Sequence, residues 1–242
     1  LQAFSIPVLE KEGYEADDII GTVAKKLEPK KDLEVIVVTG DMDTLQLVRP
    51  GLKVYAMKKG MTDTVIYDEK AVEERYGFGP EFLIDFKGLK GDASDNIPGV
   101  KGIGEKTAAD LIKNYGAIEE IYKKLKKGLV KISPAVVDKL KLGEEDALLS
   151  KELARIKLDV PLDFVLENLV WRKEGSISGA KEVFIKFGFQ SLLKRLESET
   201  SPVRVQAALL SLAAGESKLI PVMDTVKDFA KLEKKAGKFG II

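Results

Sequence analysis

The sequence contains no cysteine and no histidine. Without thiols there are no disulfides, no sulfur nucleophile and no thiolate metal site. Without imidazole there is no Ser-His pair and none of the usual zinc ligand sets. Catalysis, if any, must rest on carboxylates, Lys, Tyr or a bound metal. Long apolar runs are also missing. None approaches the roughly 18 residues that span a bilayer, and the opening LQAFSIPVLEKEGYE lacks the basic-then-apolar order of a signal peptide, so a cytoplasmic protein without membrane contact is expected. Charge of one sign is not in excess either: 39 Lys+Arg balance 39 Asp+Glu, and any sign of nucleic acid must lie in how the charges are distributed.

What is present is 242 residues, 45% of them apolar, enough for one large domain or two moderate ones. Tyr14-Glu15-Ala16-Asp17-Asp18 precedes IIGTVAKKL, whose apolar residues recur at helical spacing, so the acids occupy a first helical turn. The helix dipole favours acids there even without function. Leu33 to Thr39 is a β-branched run that reads as a buried parallel strand, ending in Gly40-Asp41-Met42-Asp43 and a helical TLQLV. Acids just after a strand's C-terminal end lie where open α/β sheets place ligands, although Asp41 or Asp43 also suits a helix cap.

Two strands are expected at Lys53 to Met57 and Thr64 to Tyr67, then a helix Glu69 to Tyr76 capped by Asp68 and another begun by Pro80 over EFLIDFKGL. From Gly91 the pattern is helical: Glu105 to Asn114, Ile118 to Lys126, Pro134 to Leu142, Glu144 to Ile156 and Ser178 to Leu196. Glu197 to Ser201 reads as a short linker before a helical Val203 to Ala214. A strand Lys218 to Met223, a helix Thr225 to Ala236 and a further strand at Phe239 to Ile242 follow.

Three acidic groups stand out: Glu15/Asp17/Asp18, Asp41/Asp43 and Asp92/Asp95. If they converge, each like-charged pair at about 4 Å repels by about 4 kcal/mol at an effective dielectric near 20. Convergence therefore requires cations, or raised pKa values when the site is empty. Two hard divalent ions would meet the need, and such a pair can activate a water and stabilise the leaving oxygen of a phosphodiester. Oxygen-only ligands favour Mg²⁺ or Mn²⁺ over zinc.

The glycine-punctuated turn Gly99-Val100-Lys101-Gly102-Ile103-Gly104 leads into Glu105-Lys106-Thr107. It nearly matches the nucleotide-binding G-x-x-x-x-G-K-[ST] loop, but Glu105 is one residue too many and no apolar strand precedes it. As a helix-hairpin-helix it would offer backbone amides with Lys101 and Lys106 to a DNA phosphate, reading no bases. Lys113, Lys123, Lys124, Lys126, Lys127 and Lys131 downstream are consistent with a basic face, or with an ordinary solvated one.

YEADD at Tyr14, TGDMD at Thr39 and GDASDNIPGVKGIGEKTA at Gly91 together resemble the 5′-nuclease domain of bacterial DNA polymerase I, a member of the flap endonuclease superfamily, from residue 1 to about 197. The resemblance implies an α/β fold, with a PIN-like parallel sheet followed by a helix-hairpin-helix subdomain. It implies two divalent metals held by Glu15, Asp17, Asp18, Asp41, Asp43, Asp92 and Asp95, with Asp17, Asp18, Asp41 and Asp92 carrying catalysis. It implies duplex DNA with a 5′ end or flap as partner, contacted near Gly99, Lys101, Gly102, Gly104, Lys106 and Thr107, with K⁺ at the hairpin. The implied division is a partial catalytic core over 1–90, a helical DNA-binding part over 91–197, a linker over 198–217 and, over 218–242, the start of an RNase H-like 3′-5′ exonuclease-like β-α-β segment. The family's domain opens with a strand bearing a metal-binding Asp, and with a basic arch, that do not precede Leu1. A truncated, monomeric fragment with impaired cleavage is expected, and a non-catalytic DNA-binding module is the alternative.

Overall fold

The computed structural model describes residues 1–28, 33–59, 63–171, 176–199 and 239–241. The chain divides into two units, residues 13–160 with 238–242 and residues 1–12 with 161–237. The larger one carries the acids and the glycine turn.

Helix α1, Ala16–Leu27, begins with a reciprocal capping box: the Glu15 side chain accepts from the Asp18 amide while Asp18 accepts from the Glu15 amide. Its inner stripe of Ile19, Val23, Ala24 and Leu27 is buried. Strand β1, Glu34–Thr39, carries Val35, Ile36 and Val37 fully inward, as a strand with neighbours on both edges must. The expected helix after it is a 3₁₀ segment, Met42–Leu47, capped by Asp41. Strands β2, Leu52–Lys59, and β3, Asp63–Tyr67, follow.

The sheet is mixed, not wholly parallel: β2 runs parallel to β1, whereas β3 pairs antiparallel with β2. Only Gly60, Met61 and Thr62 separate β2 from β3, and so short a connection permits a hairpin but no crossover. Strand β4, Phe239–Ile241, pairs parallel with Glu34 to Ile36 and completes the order β3-β2-β1-β4. A strand was expected at Phe239, but as part of a separate exonuclease-like segment and not at the edge of this sheet. The segments expected at Val203 to Ala214, Lys218 to Met223 and Thr225 to Ala236 lie outside the described residues.

Helix α2, Glu69–Tyr76, is capped by Asp68, which accepts from the Ala71 amide at 2.9 Å. Helix α3, Leu83–Lys90, follows the 3₁₀ turn Pro80–Phe82 and is surrounded by α4, Glu105–Tyr115, α5, Ile118–Lys126, and α7, Glu144–Leu153. Helix α6, Pro134–Leu142, precedes α7. A Cβ on Gly88 would lie 3.0 Å from the Ala147 carbonyl oxygen, so the glycine lets α3 and α7 approach closely. Burial of Asp85 on α3 is compensated by Lys151 of α7 at 2.6 Å and by the Ile118 amide of α5, and Glu119 of α5 also meets Lys151 at 2.8 Å.

Helix α7 stops at Leu153, short of the expected Ile156, because the chain turns back as a strap along α1. Gln46 holds the strap through the Ala154 carbonyl and the Ile156 amide, while Val160 donates to Thr22. Gly21 leaves room there for Leu158 and Ile156.

In the smaller unit the helical stretch expected over Ser178 to Leu196 is two helices, α8, Ser176–Lys186, and α9, Gln190–Glu199, broken at Gly188 with φ 69°. A 3₁₀ turn at Gln2–Phe4 packs on α8: the Phe4 and Phe184 rings meet edge-on at 5.7 Å, and the Trp171 indole donates to the Phe4 carbonyl at 2.7 Å. Among the described residues no helix is long and apolar enough to cross a membrane.

Candidate functional site

Asp41 and Asp43 emerge from the C-terminal end of β1. The Asp41 amide donates to the Thr39 hydroxyl, and the Asp41 carboxylate accepts from the Asp43 amide, both at 2.9 Å. Asp92 and Asp95 sit on a tight turn at the end of α3, closed by paired bonds between Asp92 and Ile97, with Asn96 at φ 57°. Oδ1 of Asp92 accepts from the Ser94 amide and hydroxyl, at 3.0 and 2.5 Å, which leaves Oδ2 for other partners. Carboxylate oxygens of Asp43, Asp92 and Asp95 lie within 4.8 Å of one another.

Between them stands Lys87. Its ammonium contacts Oδ2 of Asp43, Oδ2 of Asp92 at 2.9 Å and Oδ2 of Asp95 at 3.2 Å. Burial opposes the charge of Lys87, but hydrogen bonds to Asp43 and Asp92 outweigh it and hold the ammonium above its ordinary range. The Ser94 hydroxyl, then Lys87, keep the Asp92 carboxyl well below the usual carboxylate range. Asp43 is raised by burial, with Lys87 pulling against that and Asp41 and Asp95 adding to it. Burial, then repulsion from Asp41, Asp43, Glu15 and Asp18, pushes Asp17 up to about 6.

The expected acids therefore fall into two kinds. Asp43, Asp92 and Asp95 meet directly, and Asp17 and Asp41 interact electrostatically with the same group. Glu15 and Asp18 are joined in the capping box, and Asp18 also accepts from the Lys157 amide at 2.8 Å. Those bonds give Glu15 and Asp18 a local structural role at this helix start. Lys87 was not among the candidates, though the sequence held a signal: a lysine five residues before Asp92 on the helix that delivers it. A cleft of about 240 Å³ opens beside the cluster, lined by Asp43, Lys87, Asp92, Arg75 and Lys90. Arg75 is fixed there over the Tyr67 and Tyr76 rings and donates to the Tyr67 hydroxyl at 2.7 Å.

The glycine turn is pinned from beneath by buried Val100 and Ile103, which leaves Lys101, Gly102, Gly104 and Lys106 exposed and Thr107 half-buried. Gly104 caps α4 without a side-chain partner, so amides at that helix start face outward. Gly102, at φ 81°, turns the chain, and its carbonyl accepts from Lys139 at 3.0 Å. Gly99 departs from the expected contact role. It is buried, donates its amide to Ser150 at 2.9 Å, and packs so tightly that a Cβ would lie 2.2 Å from the Gly91 nitrogen. The basic face is narrower than its lysines imply: Lys123 pairs with Glu120, Lys126 with Glu144, and Lys124 donates to the Tyr115 carbonyl.

Two family models tile this architecture. Residues 1–77 match the N-terminal resolvase-like domain of 5′-3′ exonucleases, and residues 78–176 match their C-terminal SAM fold. The chain belongs to the 5′-3′ exonuclease family. The junction between the two matches falls at Gly77, where α2 ends with φ 78°. A DNA polymerase I of Bacillus caldotenax is 44% identical over 83% of this chain and 22% of its own length. A DNA polymerase I of Caldicellulosiruptor bescii is 39% identical over 92% of this chain and 27% of its own. The chain thus spans about a quarter of these relatives. A zinc-bound structure of T5 5′-exonuclease superposes at TM-score 0.53 and 20% identity, over 80% of this chain and 61% of that one, which shows a shared fold.

Proposed function

We propose that this chain is the 5′-nuclease part of a DNA polymerase I-type protein that hydrolyses DNA phosphodiesters at 5′ ends and flaps, in replication and repair. The observation that carries the reading is the convergence of Asp43, Asp92 and Asp95 within 4.8 Å, with Asp17 and Asp41 acting on the same group. The donor set fits hard divalent cations: all carboxylate, without histidine or cysteine, and already drawn around a positive charge. Asp43, Asp92 and Asp95 would hold one ion and Asp17 and Asp41 another, with Mg²⁺ or Mn²⁺ as the natural choices. When bound, the ions supply activation of a water and stabilisation of the leaving oxygen.

The chain's own groups supply the rest. Glu15 and Asp18, through the capping box, fix the α1 terminus that presents Asp17. Ser94 orients Asp92 by taking one of its oxygens. Arg75 and Lys90 give the cleft positive charge facing a phosphate. Lys101 and Lys106, the amides near Gly102 and Gly104, and Thr107 would grip the duplex backbone without reading bases. A K⁺ at the hairpin would coordinate carbonyl oxygens of the turn, where the Gly102 carbonyl also accepts from Lys139. The core and helical parts divide in this reading near Gly91, and the segment from about Lys218 leads into the next domain of the polymerase, a 3′-5′ exonuclease-like fold, with Phe239–Ile241 paired in this structure to β1 of the nuclease sheet. The 240-residue alignment with the Caldicellulosiruptor bescii polymerase supports that continuation.

Calorimetric titration with Mn²⁺, run beside a cleavage assay on 5′-flap DNA, tests the proposal. Saturable Mn²⁺ binding is expected, with at least one ion per chain lost in Asp43→Asn/Asp92→Asn. Absence of such binding in the wild type would overturn the reading. A purely DNA-binding module would retain salt-dependent flap binding and release no product with Mg²⁺.

A further inference from the structure

We infer that Lys87 is a built-in counter-ion: it occupies the cation position of the acidic cluster and must leave when a divalent ion binds. This rests on the metal-binding reading above and adds an intramolecular competitor to it. The geometry carries the inference. Lys87 contacts one oxygen from each of the three clustered acids, Oδ2 in every case. For Asp92 that oxygen is the one left over, since Oδ1 already takes two donors from Ser94. A hard divalent ion binds carboxylate oxygens at about 2.0–2.6 Å. An ion coordinating the three Oδ2 atoms would have to stand where the ammonium stands, and two positive charges cannot share that point.

Placement makes the competition effective. Lys87 is rooted in α3, the helix that ends at the turn bearing Asp92 and Asp95, so the ammonium stays beside the cluster when displaced. Its side chain is 13% exposed, and the cleft shared with Arg75 and Lys90 is the space open to it. The long, flexible four-carbon stem of a lysine permits such a swing. In the metal-free state Lys87 offsets repulsion among the acids, and this protection weakens divalent binding. Occupancy of the site then depends on the free divalent ion concentration.

The test uses the 242-residue chain with Mn²⁺ as probe. Lys87→Met keeps the length of the side chain without its charge, and Lys87→Gln keeps a neutral donor. Both should bind Mn²⁺ at least about tenfold more tightly than wild type, since a like charge at contact distance is gone. Their melting temperatures should fall in EDTA and recover with Mn²⁺, and a variant that folds only after Mn²⁺ is added counts as the same result. Binding by wild type with equal or weaker binding by both variants would overturn the inference alone. Absence of saturable binding in all three proteins would overturn the metal reading as well.

Discussion

Asp17→Asn should stabilise the metal-free protein at neutral pH. Folding places this carboxyl among Asp41, Asp43, Glu15 and Asp18 in a half-buried position and pushes it from 3.8 up to about 6. The folded state therefore holds the proton more firmly than the unfolded one. Between pH 3.8 and about 6 the native state binds more protons, so stability falls as pH rises and stays lowered above about 6. The full difference corresponds to about 3 kcal/mol, and solvent screening of a half-buried group reduces it to about 1–2 kcal/mol. Removing the charge should recover that amount. Urea melts of wild type and Asp17→Asn at pH 7 in EDTA should show it, and at pH 4 the gap should close. With saturating Mn²⁺ the order should reverse, because wild type gains a cation that the variant holds poorly. A less stable Asp17→Asn in EDTA at pH 7 would mean that Asp17 is not destabilised by its acidic neighbours.

Lys151→Met should cost about 3–5 kcal/mol by leaving the buried Asp85 without its ammonium, measurable as a lowered urea midpoint. Gly99→Ala should cost at least about 2 kcal/mol, since φ is +60° and backbone atoms of Gly91 occupy the space for a Cβ, whereas Gly104→Ala meets nothing within 4 Å and should lose only the roughly 0.5–1 kcal/mol by which Ala is a poorer N-cap than Gly. Lys101→Ala/Lys106→Ala should weaken flap-DNA binding and reduce the slope of log K against log salt by about 1 per lysine, with no change in Mn²⁺ affinity. Ser94→Ala should weaken Mn²⁺ binding, because Asp92 loses the hydroxyl that fixes one of its oxygens.

Much of the fold was legible because local signals suffice where caps and periodicity agree. Asp68 and Gly77 bound α2 as their chemistry requires, and Ile118 to Lys126 forms a helix over the expected residues. The 3₁₀ form of Met42–Leu47 was hidden, because the apolar spacing of TLQLV suits either helix type and the Asp41 cap forces a tight turn. The strap after Leu153 was invisible, since it depends on Gln46 and Thr22, each more than 100 residues away in sequence.

The acidic groups announced themselves through clustering near glycines and a strand end. Which acids meet was a matter of three-dimensional register: Glu15 and Asp18 lie beside Asp17 in sequence yet serve the helix cap, while Asp43 reaches across to the α3 turn. Lys87 escaped notice because a lone lysine in a helix ordinarily signals solvent. Its meaning appears only when three carboxylates from two chain segments close around it. Gly99 likewise belonged to a recognisable motif, and only its burial against Ser150 separates it from the exposed part of the hairpin.

The most direct measurement is anomalous diffraction from crystals soaked in Mn²⁺. A peak is expected at about 2.1–2.3 Å from Oδ2 of Asp43 and of Asp92, with Lys87 turned out of the cluster, and a second peak beside Asp17 and Asp41. Crystals at high Mn²⁺ with no peak among these carboxylates, and with Lys87 still bridging Asp43, Asp92 and Asp95, would contradict it.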